Sequence, residues 1–296
     1  MGLLRPEEKI ILRLAAGIFF FLLQVTVLCI FSEEVSQPLT IPRIYSPVAL
    51  EQGKLCELGK DNNKYLNQVL RLEQGARVNV FDGFGHEFEA VIKYFTPNKV
   101  VLELGASIEN LDRKIKITLA QALPKAGKMD LIVRGAAELG ADLIIPFAAV
   151  RSVSRIAGEK ISAKAARWQK IALDAARCSR SSQITEVLPV ADWETMLACA
   201  DKQALKMIFW EEEDQRSIKD ILSDQSRAQT KNIFIIVGPE GGLSKDEISQ
   251  ARKVGFTSVS LGKQILKVET AALAIISIIQ YEKGIFSSKG GENGCL

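Results

Sequence analysis

Histidine is almost missing from this chain: His86 stands alone among 296 residues. That argues against a multi-histidine metal site and against a histidine-based catalytic triad. His86 also sits beside an evident turn, where a surface role suffices. Cysteine is sparse and scattered, at Cys29, Cys56, Cys178, Cys199 and Cys295, with no CxxC pair. Neither a zinc site nor a disulfide framework is indicated, and free thiols in a reducing compartment are expected. The terminal Gly-Cys-Leu places its cysteine two positions too late for prenylation. No GK[ST] triplet and no GxGxxG is present, which removes the common phosphate-cradling loops.

Net charge is only +3, but it is unevenly spread. Residues 111–180 carry 14 Lys/Arg against 6 Asp/Glu, a local excess of +8, while the rest of the chain is slightly acidic. A basic block in a near-neutral chain points to a polyanion such as nucleic acid, although a solvated helix face would give the same count. The one long apolar run, Ile10–Phe31, has 22 residues interrupted by Arg13, enough to span a bilayer. No signal-peptide cleavage pattern follows it, and nothing after residue 40 looks membrane-bound. Residues 1–40 are therefore read as an extension, from a start site placed too far upstream or a membrane segment, with the former preferred. Membrane association is not expected, and the localisation expected is cytoplasmic.

Residues 41–110 read as β-rich. VNVF, FEAVIKYF and KVVLEL alternate, with DGFG and TPNK as turns between them, and Lys64–Leu72 as a short amphipathic helix using Leu66, Val69, Leu70 and Leu72. A small barrel with one helix fits. From Leu111 the rhythm changes to strands alternating with helices: strand Lys114–Leu123, helix Lys128–Gly140 with Leu131, Ile132 and Ala136 on one side, the ADLIIPFAAV strand, and helix Lys160–Arg180. KMIFW and NIFIIV are further strands. That order predicts a mostly parallel α/β sheet, with ligands bound beyond the strands' carboxyl ends. Four acids, Glu211–Asp214, follow KMIFW and read as a solvated loop rather than a metal site. Residues 287–296 read as a tail.

NIFIIV ends abruptly in Gly238-Pro239-Glu240-Gly241-Gly242. Ser244 and Glu247 then form a capping box, so a helix begins near Lys245. Glu240 puts a carboxylate where a phosphate loop would need none, which favours a cationic or neutral ligand. A second irregular loop, LGKQILKVET, follows the short strand Phe256–Leu261 and opens an apolar helix from Thr270 to Tyr281 that must be buried on most sides. Two such loops at strand ends can converge on one pocket.

The pair of loops resembles the SPOUT superfamily of S-adenosylmethionine-dependent RNA methyltransferases, and within it the RsmE family, which methylates N3 of a uridine in 16S ribosomal RNA. The family patterns GPEGGxSxxE and LGxRILRxETA read here Gly238–Glu247 and Leu261–Ala271. PRIYSP, VFDGxGxEFEA, ELGAxxIIP (Glu138–Pro146) and WQKIALDAAR (Trp168–Arg177) extend the likeness over residues 41–286. Two family arginines are replaced, by Gln264 and Lys267, and AARCSRSS departs from the usual EQxGR-type segment, where Arg180 can stand for the arginine. The resemblance implies a PUA-like β-barrel over 41–110 that binds RNA and a SPOUT α/β knot domain over 111–286. It further implies a homodimer, S-adenosylmethionine as cofactor, no metal, and 16S rRNA in the small ribosomal subunit as substrate. It places the cofactor against Gly238, Pro239, Glu240, Gly241, Gly242, Leu261, Gly262, Ile265, Leu266, Thr270 and Ala271. Glu240, Glu269 and Lys267 are the catalytic candidates. Arg134, Arg151, Arg155, Lys164, Arg167 and Arg180 are the candidate RNA contacts. A different target such as a ribose 2′-OH, or an RNA-binding assembly role without turnover, remains open on the sequence.

Overall fold

The computed structural model describes residues 41–109, 115–125, 127–152, 160–224 and 230–283. The apolar run Ile10–Phe31, Arg155 and the segment 287–296 lie outside the described residues. The chain divides into two units, Met1–Pro42 and Arg43–Leu296, and the second is described here. No helix among the described residues is long and apolar enough to cross a membrane.

Alternating apolar residues build the first sheet, with strands β1 (Arg43–Tyr45), β2 (Leu55–Leu58), β3 (Arg77–Phe81), β4 (Glu87–Phe95) and β5 (Val100–Ser107) in the order β1-β3-β4-β5-β2. β1 runs parallel to β3 and the remaining pairs are antiparallel. Ile44, Leu58, Val78, Val80, Ile92 and Leu102 form its core together with Leu66. The helical segment differs from expectation. Helix α1 (Lys60–Lys64) runs into a π-turn over Tyr65–Val69 and ends before Arg71, whose φ is 53°. The extra residue in the wide turn rotates the apolar face, so Leu66 is buried while Val69 is 62% exposed.

The second sheet has six strands, all parallel: β6 (Lys116–Ala122), β7 (Leu143–Phe147), β8 (Glu186–Val187), β9 (Leu205–Phe209), β10 (Asn232–Val237) and β11 (Thr257–Val259), in the order β11-β9-β10-β6-β7-β8. Connecting them are α2 (Lys128–Glu138), α3 (Lys160–Cys178), α4 (Trp193–Ala198), α5 (Ile218–Leu222), α6 (Lys245–Lys253) and finally α7 (Val268–Glu282). Two cores cover the sheet, one holding α2, α3 and α7, the other Trp193, Met196 and Ile248. On α2 the buried stripe is Met129, Ile132, Val133, Ala136 and Ala137, at helical spacing. Leu131, expected inside, falls off that stripe and is exposed. On α7 the positions Val268, Ala272, Ile275, Ile276, Ile279 and Gln280 are buried, in line with its apolar sequence, and Gln280 Nε2 donates to Leu139 O at 2.9 Å.

A candidate cofactor site built from strand-end loops

Because every strand of the second sheet points the same way, all its carboxyl ends lie on one edge. β10 sits between β6 and β9, with Val237 in register with Gln121 and Phe209. The glycine loop after β10 is therefore flanked by the loops after β6 and β9. The capping box opening α6 is formed as read: Ser244 Oγ accepts from the Glu247 amide, and Glu247 Oε2 accepts from Ser244 N at 2.8 Å. Glu247 does more than cap. It is buried, and its Oε1 accepts from Val150 N at 2.9 Å, tying in the loop after β7.

Arg151, a candidate RNA contact, is exposed; its guanidinium donates to Gly241 O at 3.1 Å, and a Cβ on Gly241 would come within 3.2 Å of Arg151 Cβ. Gly242 has φ of +69°, and a Cβ there would lie 2.7 Å from Glu211 Oε1. Glu211 thus packs against the glycine loop. Its neighbour Glu213 corrects the reading of a merely solvated acidic loop. Glu213 is turned inward, accepts a hydrogen bond from Ser258 Oγ, and pairs with Arg252 at 3.4 Å. The Ser258 hydroxyl bond is the main reason its carboxyl sits below the usual range, against an opposing effect of burial.

Glu240, from the glycine loop, and Glu269, in the first turn of α7, meet at one cation that sequence reading missed. Lys128 Nζ lies 3.0 Å from Glu240 Oε1 and 3.2 Å from Glu269 Oε2. The Lys125 amide donates to both Glu240 oxygens at 3.1 Å. Lys128 begins α2, directly after β6, so its position follows from β6 and β10 being neighbours. The hydrogen bond to Glu240, then that to Glu269, raises the Lys128 pKa. Burial pushes Glu240 up, but the Lys128 bond and the backbone amides outweigh it and the net direction is down. Glu269 is lowered chiefly by its own backbone amide at the helix start, then by Lys128.

These directions fix a pH window. The carboxylates contribute stability fully above their ordinary 4.5, and lose it as acid titrates them through their lowered values. Lys128 contributes fully below its ordinary 10.5 and loses it as pH rises through the raised value. Lys128→Met removes the cation that holds Glu240 and Glu269 together, and the loosened loop cluster is expected to weaken cofactor uptake by roughly tenfold at neutral pH, the scale of one lost charge-assisted contact, with Lys128→Arg recovering part. Calorimetric titration of both variants checks this; equal affinity in Lys128→Met and wild type would remove Lys128 from the site.

The second loop is open. Gln264 and Lys267 are exposed, Ile265 is 87% exposed, and Leu266 is half-buried. Leu261 packs against the core, Thr270 is exposed and Ala271 is half-buried. Of the basic candidates, Arg134, Lys164, Arg167 and Arg180 are exposed, and Arg167 also pairs with Asp130 at 2.5 Å. The site fits a cationic, partly apolar ligand: Ile265 and Leu266 offer apolar surface, and Glu211, Glu240 and Glu269 outnumber Lys128 and Arg151.

Residues 111–280 match the family model described as an RNA methyltransferase domain, and residues 58–105 match an RNA methyltransferase PUA domain. With its parallel sheet and strand-end loops, the molecule is a SPOUT-type RNA methyltransferase carrying a PUA-like module. The chain belongs to the ribosomal RNA small subunit methyltransferase E family. It is 28% identical to the Bacillus subtilis protein of that name over 236 residues, covering 79% of this chain and 92% of the relative. To the Synechocystis relative it is 31% identical, covering 73% and 69%. The crystal structure of the Neisseria gonorrhoeae methyltransferase E, bound to S-adenosyl methionine, superposes with a TM-score of 0.73 at 30% identity, covering 82% of this chain and 98% of that one.

Proposed function

We propose that this protein transfers the methyl group of S-adenosylmethionine to N3 of one uridine in 16S rRNA, in the cytoplasm. The observation that carries the reading is the loop cluster, in which Glu240 and Glu269 converge on Lys128, in a chain of this family. The cofactor supplies an electrophilic methyl on a cationic sulfur, so the protein's work is placement. The glycine loop Gly238–Gly242, braced by Arg151 and Glu211, offers one wall, and Leu261, Gly262, Ile265 and Leu266 offer the second. Glu240 and Glu269 are held ionised by Lys128, which makes them weak proton acceptors. They serve as orienters that attract the cationic ligand. The uridine must release its N3 proton to solvent before or during transfer. Lys267, at the N-cap of the 15-residue α7 with no side-chain capping bond, adds its charge to the helix's positive end and favours the uracil anion. Arg134, Lys164 and Arg180 supply phosphate contacts, Arg151 braces the glycine loop, and the module over 41–110 extends the grip on RNA. A homodimer is supported by the apolar surface of α7, where Ile278 is half-buried and Tyr281 exposed.

The test is nucleoside mass spectrometry of 16S rRNA from small subunits incubated with the protein and methyl-labelled cofactor. One labelled N3-methyluridine per subunit is the expected product. Label in a ribose would reassign the target, and no label in any rRNA would overturn the proposal.

A further inference from the structure

The turn Asp82–His86 joins β3 to β4, and its tip carries Phe84 with its side chain 81% exposed. Exposure of one apolar residue is ordinary; a tip held this firmly is not required by the hairpin itself. The Phe84 amide donates to Asp82 Oδ1 at 2.7 Å, His86 N donates to the same oxygen at 3.2 Å, and His86 Nδ1 lies 2.7 Å from Asp82 Oδ2. Asp82 is buried beneath them. The flanking glycines are bound to the other sheet's domain: Ile184 N donates to Gly83 O at 3.0 Å, and Gly85 N donates to Ser182 O at 3.2 Å. A Cβ on Gly83 would strike Ile184 Cδ1 at 2.6 Å, so this close approach needs glycine. The receiving loop is stiffened in turn, with Ser181 Oγ donating to Gln183 O at 2.7 Å and accepting from Gln183 N at 3.2 Å.

Phe84 is thus an aromatic ring on a backbone fixed from both sides at the seam between the two sheets. Its surroundings choose the ligand. Its turn and the facing loop are made of Asp82, Gly83, Gly85, His86, Ser182 and Gln183, with the half-buried Ile184 and Tyr45 against Gly83, less than the contiguous apolar patch a protein partner needs. His86 has a side chain 67% exposed. Arg180, two residues before Ser182, is exposed with φ of 57° and makes no ion pair among the described residues. An exposed planar ring, with the exposed Arg180 carried by the loop that pairs with its turn, suits an unpaired base and its phosphate.

We propose that Phe84, with His86 of its own turn and Arg180 of the facing loop, is a stacking platform for an unpaired base of the rRNA substrate. Binding one base at the seam fixes the RNA relative to both sheets, and so to the loop cluster. This rests on the reading that the protein acts on rRNA.

The test uses the full chain with small ribosomal subunits, the substrate proposed above, and with protein-free 16S rRNA. Phe84→Ala is expected to raise KM for 16S rRNA by roughly 5- to 100-fold, the range that stacking one base is worth. S-adenosylmethionine affinity should stay as in wild type. Tyr94→Ala, which removes another exposed aromatic from the same sheet, should change KM less than twofold. Phe84→Trp should keep KM within about twofold of wild type, and its emission, after subtracting the wild-type signal, should be quenched when 16S rRNA is added. A Phe84→Ala KM within twofold of wild type, or Phe84→Trp emission indifferent to rRNA, overturns the platform. So does a defect seen on assembled subunits but not on bare rRNA, which would mark a protein contact. If wild-type protein transfers no methyl, the functional reading fails, yet the quenching still decides whether Phe84 stacks on RNA.

Discussion

Gly242→Val is expected to reduce S-adenosylmethionine uptake by at least tenfold while the protein stays folded. Two costs combine at this position. The backbone holds φ at +69°, a left-handed conformation that costs an L-residue about 1–2 kcal/mol and a β-branched one more. A Cβ would also sit 2.7 Å from Glu211 Oε1. That carboxylate can swing away, but doing so removes an acid from a site that favours cations. The cheaper escape is for the loop to change shape, which moves Gly241 off Arg151 and Glu240 off Lys128. Every tenfold loss corresponds to about 1.4 kcal/mol, so the strain alone accounts for the expected minimum. Gly75→Val separates strain from site. Gly75 has φ of +89°, with no atom within 4 Å of where a Cβ would sit, and it lies in the first sheet's domain. It carries the same backbone cost, and its calorimetric affinity for the cofactor should match wild type. Wild-type affinity in Gly242→Val would mean that the ligand does not touch this loop.

Much of this site was legible because its loops interrupt strong patterns. NIFIIV is too apolar to be anything but a buried strand, and GPEGG cannot continue it, so the loop declared itself. The Ser244–Glu247 box predicts the start of α6, and Ser244 is its N-cap. What sequence order conceals is strand order. Lys128 and Glu240 are over a hundred residues apart, and they meet only because β10 inserts beside β6. The second bond of Glu247, to Val150, and the grip of Arg151 on Gly241 have the same origin. Glu213 was hidden differently: in a run of four acids nothing distinguishes the one whose side chain turns inward to Ser258. The π-turn at Tyr65–Val69 changes the facing of Val69 without any glycine or proline to announce it.

Arg43→Met should be among the most destabilising single changes available, by about 3–5 kcal/mol. Arg43 lies on β1, yet its guanidinium serves three partners. Nε and Nη2 form a two-pronged pair with Glu87 at 2.8 and 2.7 Å, and Nη1 donates to Ala176 O and Arg177 O at 3.0 and 3.2 Å. The fork also stacks 4.7 Å from the centre of the Phe81 ring. Ala176 and Arg177 belong to the last turn of α3, whose carbonyls lack helical partners and carry the helix's negative end. One buried cation therefore holds the first sheet to a helix of the second. Removing it strands the Glu87 carboxylate, 5% exposed, in the interior. Arg43→Lys keeps charge but not the fork, and should fall between wild type and Arg43→Met. Adding Glu87→Leu to Arg43→Met should recover most of the loss, because the stranded charge is the larger cost; the two uncapped carbonyls would leave about 1–3 kcal/mol unrecovered. Urea midpoints at constant slope measure all three. Catalysis gives an independent reading at temperatures where the variants remain folded. The double variant should bind S-adenosylmethionine as wild type does, since the loop cluster is intact, yet methylate 16S rRNA with a raised KM, because the first sheet loses the Arg43 tie and keeps its Gly83–Ile184 and Gly85–Ser182 hydrogen bonds to the domain of the second. If Arg43→Met costs less than about 1 kcal/mol, the contact behaves as an exposed ion pair and the two sheets must be joined by other means.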